Sequence, residues 1–287
     1  MADPALRKAL KKPGCIVAPG VYDLISALVA DRMGFKALYV TGYGTVASAM
    51  GLPDAGIATY RDMIERIGTI AKMTKTPVMA DADTGYGGLL NVRHTVRGYE
   101  AAGVTAIQLE DQEFPKKCGH TPNRLVIPTA DMVQKIKVAS DSRSSKDFLI
   151  IARTDSRTGL GLDEAMRRME AYSKAGADIL FIEAPESEAE MEAIGKRFDQ
   201  PLLANIVNGG KTPMLPAKRL AEIGFRVAIF PATGFLVTAA ALESAYGELK
   251  EAGTSTGKTP MYKFSDFNTL IGFPDVWEFE KKYGVGE

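Results

Sequence analysis

Five short β-rich runs in this 287-residue chain end in polar groups: Asp81-Ala82-Asp83, Glu110-Asp111, Arg153-Thr154-Asp155, Glu183 and Asn205. Side chains alternate along a strand, so Asp81 and Asp83 share one side while Ala82 faces the other. A single Asp after a strand is commonly a turn or helix-capping residue. A cluster of such acids is different, because it repels itself unless a cation is bound, and an all-oxygen donor set favours a hard ion such as Mg²⁺ or Mn²⁺. Zinc is disfavoured, since the two histidines, His94 and His120, lack ligand spacing. His94 falls in an amphipathic helical stretch and reads as a surface or structural residue.

The fourth run leads into Asp111-Gln112-Glu113-Phe114-Pro115-Lys116-Lys117-Cys118-Gly119-His120, an irregular segment suited to a lid. Cys118 has Lys116, Lys117 and His120 as sequence neighbours. Such a cationic setting lowers a thiol's pKa and suits proton transfer, provided that sequence neighbours are also spatial ones; the alternative is an inert loop cysteine. Cys15, which opens an apolar run, reads as core packing.

The elements that must position these groups follow a regular pattern. Eight candidate strands, 15–18, 37–41, 78–81, 106–110, 149–152, 179–183, 202–205 and 227–230, alternate with amphipathic helical stretches. One such helix is expected over 163–174, where Ala165, Met166, Met169 and Tyr172 share a face. Gly34, Gly103, Gly176 and Gly224 each precede a strand by a few residues and read as left-handed helix caps. Eight parallel strands with intervening helices predict a single (β/α)₈ TIM-type barrel domain over 1–287, with chemistry at the carboxyl ends of the strands. The competing open doubly wound sheet lacks its Gly-rich fingerprint, since Pro19-Gly20-Val21-Tyr22-Asp23 follows the first strand. Residues 261–283, after the polar linker 253–258, are expected to form a helical extension carrying Phe264, Phe267, Phe273, Trp277 and Phe279.

Composition narrows the function. Thirty-five Lys and Arg balance 35 Asp and Glu, so no basic excess draws the chain to nucleic acid or an anionic membrane. No apolar run approaches the roughly 20 residues that span a bilayer, and the polar N-terminus does not read as a secretory signal. Two cysteines exclude a disulfide framework. The expected address is the cytoplasm, or an organelle.

Three motifs in order, Asp-Ala-Asp-Thr-Gly-Tyr-Gly at 81–87, Lys-Lys-Cys-Gly-His at 116–120 and Ala-Arg-Thr-Asp at 152–155, resemble the isocitrate lyase and phosphoenolpyruvate mutase superfamily. The resemblance runs from about Pro19 to the C-terminal segment. It implies a Mg²⁺-dependent barrel enzyme acting on α-oxyacids. Carried over, Asp81, Asp83 and Glu110 would hold the metal directly or through water. Thr41, Gly42 and Tyr43 would bind a substrate carboxylate, Arg153, Glu183 and Asn205 would line the site, and Asp54 would support it. Gly119 and His120 belong to the lid motif, in which Cys118 would serve as general acid. Tyr43 is either the group that helps remove the substrate hydroxyl proton or a structural tyrosine.

The lid thiol resembles the lyases rather than the phosphonomutases. In the lyases acting on 2-methylisocitrate, arginines after the eighth strand and near the C-terminus serve the third carboxylate. The corresponding segments here, Pro231-Ala232-Thr233-Gly234-Phe235-Leu236 and Phe264-Ser265-Asp266-Phe267, contain none. A buried carboxylate without a cation is costly, which argues for a smaller and more apolar substrate. The C-terminal segment also resembles the 2,3-dimethylmalate lyase and petal death protein branch. The expected reaction is cleavage of an alkyl-substituted malate, a small 2-hydroxy dicarboxylate, to pyruvate or a related oxo acid. Methylisocitrate cleavage, oxaloacetate hydrolysis or decarboxylation, and phosphonomutase chemistry are the rivals in the same family; a non-catalytic barrel is the rival outside it. A Schiff-base aldolase is disfavoured because Glu183, not Lys, ends the sixth strand. The resemblance further implies a homotetramer in which subunits exchange the helical extension.

Overall fold

The computed structural model describes residues 3–119 and 124–284, so His120 lies outside the described residues. Eight parallel strands close into a barrel in sequence order: β1 Ile16–Val21, β2 Leu38–Val40, β3 Val78–Asp81, β4 Ala106–Glu110, β5 Leu149–Thr154, β6 Ile179–Ile182, β7 Leu202–Asn205 and β8 Phe225–Phe230. Helices surround it, as the alternating pattern requires. The four glycines read as caps all adopt positive φ, from 76° at Gly34 to 119° at Gly224, a region glycine enters without a Cβ penalty.

Alternation divides the apolar side chains into two cores. Tyr39, Met79, Ile151, Phe181, Leu203 and Ile229 fill the barrel interior, and Leu6 of the helix Ala5–Leu10 belongs to the same cluster. Val40, Ala80, Ile107, Ile150, Leu180 and Ala228 face outward and pack with helical residues such as Ile67, Tyr99 and Met169. The helix expected over 163–174 spans Leu162–Lys174. Its buried face includes Arg168, whose spacing fits that face although its charge argues against burial. Asp111 makes that burial tolerable, because its Oδ2 accepts from the guanidinium at 3.0 Å.

Some boundaries differ from expectation. β1 begins at Ile16, with Cys15 half-buried against the outer core just before it. β6 ends at Ile182, so Glu183 stands just past the ladder, followed by Ala184 in the left-handed region at φ 59°. Asp83, two residues beyond β3, is likewise left-handed at φ 49°. Non-glycine residues in that region cost of order 1–3 kcal/mol and persist only where the surroundings fix them, commonly at functional sites.

The described residues from Phe235 onward form a second compact unit. The expected extension over 261–283 consists of two helices, Phe264–Leu270 and Phe273–Tyr283, separated at Gly272 with φ 96°. The polar linker is tied to the preceding helix Thr233–Ala252, because Glu248 accepts from the backbone and hydroxyl groups of Thr256 and Thr259. Phe264, Trp277 and Phe279 are all more than half exposed. No described helix is long and apolar enough to cross a membrane.

Candidate active site

The carboxyl ends of the strands bring most of the expected residues together. Asp81 closes β3 with its side chain buried. Its Oδ1 accepts from the Asp83 backbone N–H at 3.0 Å and from Gln108 Nε2 at 3.3 Å. Its Oδ2 lies against Gly42, where an added Cβ would stand 2.7 Å away. Gly42 opens the helix Gly42–Met50, whose N-terminus has Thr41 as cap residue but no side-chain cap bond. That terminus carries partial positive charge and the orphan N–H groups of a first helical turn. Tyr43 is 40% exposed at its rim.

Lys116 corrects the reading of the lid. Its cationic neighbourhood was expected to serve Cys118. Instead the ammonium is buried 2.5 Å from Asp54 Oδ1 and 2.5 Å from Asp83 Oδ1. Two acids share this cation. Burial lowers the affinity of Lys116 for its proton, but Asp83, Glu110 and Asp54 outweigh that and raise its pKa. Burial lifts the Asp83 carboxyl to about 7 against the pull of Lys116, with Asp81 and Asp54 adding to the rise. Asp54 thus supports the site by anchoring the lid lysine.

Register explains the next group. Glu110 of β4 lies beside Arg153 of β5, and Glu110 Oε2 stands 3.2 Å from the Arg153 guanidinium. Arg153 was expected to grip a substrate carboxylate bidentately. Its bidentate partner in the structure is Asp155, at 2.8 Å on both bonds, and Glu183 Oε2 lies 3.3 Å from Nη2. One buried guanidinium therefore serves three carboxylates and also stacks 5.4 Å from the Phe181 ring centre. Burial pushes Glu110 well above the carboxylate range despite Arg153. For Asp155, burial is outweighed by Arg153 and Arg124, and its pKa falls. Asn205 donates to Glu183 Oε2 at 3.0 Å, and the Ala184 N–H donates to Oε1 at 2.8 Å, where the strained residue aims it.

The lid seats on this cluster. A Cβ at Gly119 would lie 2.4 Å from Arg153 Nη2 and 2.7 Å from Glu183 Oε2. Arg124, on the far side of the lid, bonds the Gly119 carbonyl and reaches Asp155 Oδ1 at 2.7 Å. Gln112 bridges strand to lid, donating to Glu110 Oε1 at 2.8 Å and exchanging bonds with the Lys117 backbone. Cys118, between Lys117 and Gly119, is half-buried. Asp111 lies apart from this cavity, where it accepts from Thr154, Tyr172 and Arg168 and braces the strand end. His94 packs on Tyr60 with ring centres 4.6 Å apart, a structural placement.

Sequence reasoning missed Arg124, Asp155, Gln112 and Gln108 as members of the site. Asp155 was visible in the strand-end motif, and Lys116 in the lid motif, but no spacing rule reveals a partner across the barrel. Charge tests whether a hard ion fits. Among the described residues the ion pairs of Asp54, Asp83, Glu110, Asp155 and Glu183 run to Lys116, Arg124 and Arg153, and burial raises the pKa of Asp83 and Glu110, so a bound cation would stand where these carboxyls otherwise hold protons. Among the described residues no three His, Cys, Asp or Glu form a complete direct cage. A cation that keeps most of its waters fits both facts, and Mg²⁺ binds in that manner.

A family model described as phosphoenolpyruvate phosphomutase matches residues 6–250. The 2,3-dimethylmalate lyase of Eubacterium barkeri is 45% identical over 98% of both chains. The 2-methylisocitrate lyase of Aeropyrum pernix is 41% identical, over 96% of this chain and 88% of its own. Among solved structures, oxaloacetate acetylhydrolase in complex with 3,3-difluorooxalacetate superposes with TM-score 0.91 at 35% identity, covering 98% of this chain and 96% of that one. Phosphonopyruvate hydrolase in complex with oxalate and Mg²⁺ gives 0.87 at 28% identity, with 99% of each chain covered.

Proposed function

Because the chain belongs to the phosphoenolpyruvate phosphomutase family, we propose that it is a carbon–carbon lyase cleaving an alkyl-substituted malate, such as 2,3-dimethylmalate, to pyruvate and a short carboxylic acid. The observation that carries the reading is the lid. Its Gly119 abuts the Arg153–Glu183 pair beside the acid-rich strand ends, which supports a role for the adjoining Cys118 as the proton donor of the closed lid. Asp81 would hold Mg²⁺ directly, with Asp83 and Glu110 acting through water. When bound, that ion would acidify the substrate's 2-hydroxyl and polarise the carbonyl of the pyruvate formed.

The chain's own groups supply the rest. Thr41, Gly42 and Tyr43 receive the 1-carboxylate at the helix N-terminus, and Arg153 keeps Glu110, Asp155 and Glu183 in place around the reacting carbons. The hydroxyl proton passes to a base near Tyr43. Its electron pair forms the C2=O bond, the C2–C3 bond breaks, and C3 leaves with that bond's pair as a carbanion stabilised by its carboxylate. Cys118 gives its proton to C3, and the thiolate is reprotonated from the base through solvent.

Substrate size follows from charge. Lys116, Arg124 and Arg153 are already committed to buried acids, and residues 231–236 contain no cation. A third substrate carboxylate would stay unpaired at a cost of several kcal/mol, whereas each buried methyl gains about 0.8 kcal/mol. The test is Mg²⁺-dependent release of the 2-oxo acid, pyruvate from 2-methylmalate, 2,3-dimethylmalate and 2-methylisocitrate and glyoxylate from malate and isocitrate, with oxaloacetate followed separately. Highest kcat/KM on an alkyl malate is expected. A preference for 2-methylisocitrate of roughly tenfold, about 1.4 kcal/mol, would reject the substrate assignment, and turnover confined to oxaloacetate would reject the lyase. In the same assay Cys118→Ser should lower turnover by about two to four orders of magnitude without loss of metal binding.

The exposed aromatics of the C-terminal unit support assembly into a homotetramer, since so much apolar surface is rarely left in water. Light scattering at micromolar concentration tests it; a monomer alone would refute it.

A further inference from the structure

Barrel interiors of this architecture are filled mostly by branched apolar side chains. Two polar exceptions sit directly beneath the proposed ion site. Tyr39 of β2 and Gln108 of β4 are 3% and 0% exposed. The Tyr39 hydroxyl donates to Gln108 Oε1 at 3.0 Å, and Gln108 Nε2 donates to Asp81 Oδ1 at 3.3 Å. A buried amide left unbonded at either end is costly, so the two contacts fix each other's direction. Burial, reinforced by Asp81, lifts the Tyr39 phenol well above its ordinary range and keeps it a donor. The backbone of Asp81 is held from another side, where Tyr99, itself paired with Tyr86, donates to its carbonyl at 3.2 Å.

We propose that Tyr39 and Gln108 are positioning residues for the ion site: the phenol sets which way the buried amide points, and the amide holds Asp81 Oδ1 so that Oδ2 is the oxygen presented to the cavity. Without the phenol the amide is free to turn, and its carbonyl would then face a carboxylate. Ligand-orienting partners of this kind usually matter 10- to 100-fold in metal affinity. The proposal rests on the metal reading given above and adds the residues that enforce it.

The test uses Mn²⁺ alone, titrated by electron paramagnetic resonance into chelator-treated full-length protein without substrate. Wild type, Tyr39→Phe, Gln108→Met and the double variant are compared, with urea unfolding measured in parallel. Tyr39→Phe is expected to weaken Mn²⁺ binding by roughly tenfold, and Gln108→Met by at least as much. The double variant should bind no more weakly than Gln108→Met, because the phenol acts only through the amide. Tyr39→Phe alone carries the test if Gln108→Met does not fold. Wild-type Mn²⁺ affinity in Tyr39→Phe, even with lowered stability, overturns the proposal and leaves the metal reading intact, and so does additivity of the two losses. A wild-type protein that binds no Mn²⁺ overturns both.

Discussion

Replacing Gly119 by Ala isolates the seating of the lid. The new methyl would fall 2.4 Å from Arg153 Nη2 and 2.7 Å from Glu183 Oε2, about 1 Å inside ordinary van der Waals separation. Those atoms end long side chains, yet neither can retreat freely. Arg153 is pinned by its two 2.8 Å bonds to Asp155, and Glu183 by Ala184 and Asn205. The strain must therefore be relieved by lifting the lid, and overpacking of this degree costs about 1–3 kcal/mol. If the seated lid is the reacting state, kcat/KM falls by roughly 5- to 150-fold. Because residue 119 is outside both apolar cores, the urea midpoint should stay near that of wild type. Steady-state pyruvate release and denaturant titration make the two measurements. An alanine variant within about twofold of wild type would refute the argument, since the glycine would then not meet the Arg153–Glu183 pair during turnover.

Other perturbations test neighbouring parts. Lys116→Met strands Asp54 and Asp83 beside one another, and breaking such a buried pair should cost about 3–5 kcal/mol in a urea titration near neutral pH; an unchanged midpoint would show that the lysine is dispensable. The Asp83 pKa, raised by burial from 3.8 to about 7, stabilises the fold fully below the unfolded value and loses that contribution as pH rises through 7. Metal-stripped protein should thus lose thermal stability between about pH 5 and pH 8, with added Mn²⁺ raising Tm more at the higher pH, and a larger Mn²⁺ effect at the lower pH would contradict this. Burial pushes the Cys15 thiol up to about 12, so iodoacetamide near pH 8 should leave Cys15 unmodified in the native protein, and peptide mass mapping that found it readily alkylated would reverse that assignment.

Periodicity alone carried the architecture. Strand and helix repeats, together with capping glycines at 34, 103, 176 and 224, are local properties, and eight of them in succession close into one barrel. The strand-end acids were equally legible, because position at the carboxyl end of a strand follows from the strand itself. What each charged group does was decided only by folding. Lys116 lies two residues from Cys118 in sequence, yet its charge goes to Asp54 and Asp83, 62 and 33 positions away along the chain. Arg153 is taken up by Asp155, Glu110 and Glu183 because β4, β5 and β6 run side by side in one register. Gln108 and Tyr39 lie within otherwise apolar strands, and nothing local marks them as partners of Asp81. Backbone preference acts over a few residues and can be read from the chain. Charge pairing in a buried site acts across space, and which acid a cation neutralises depends on strands brought together from distant parts of the sequence.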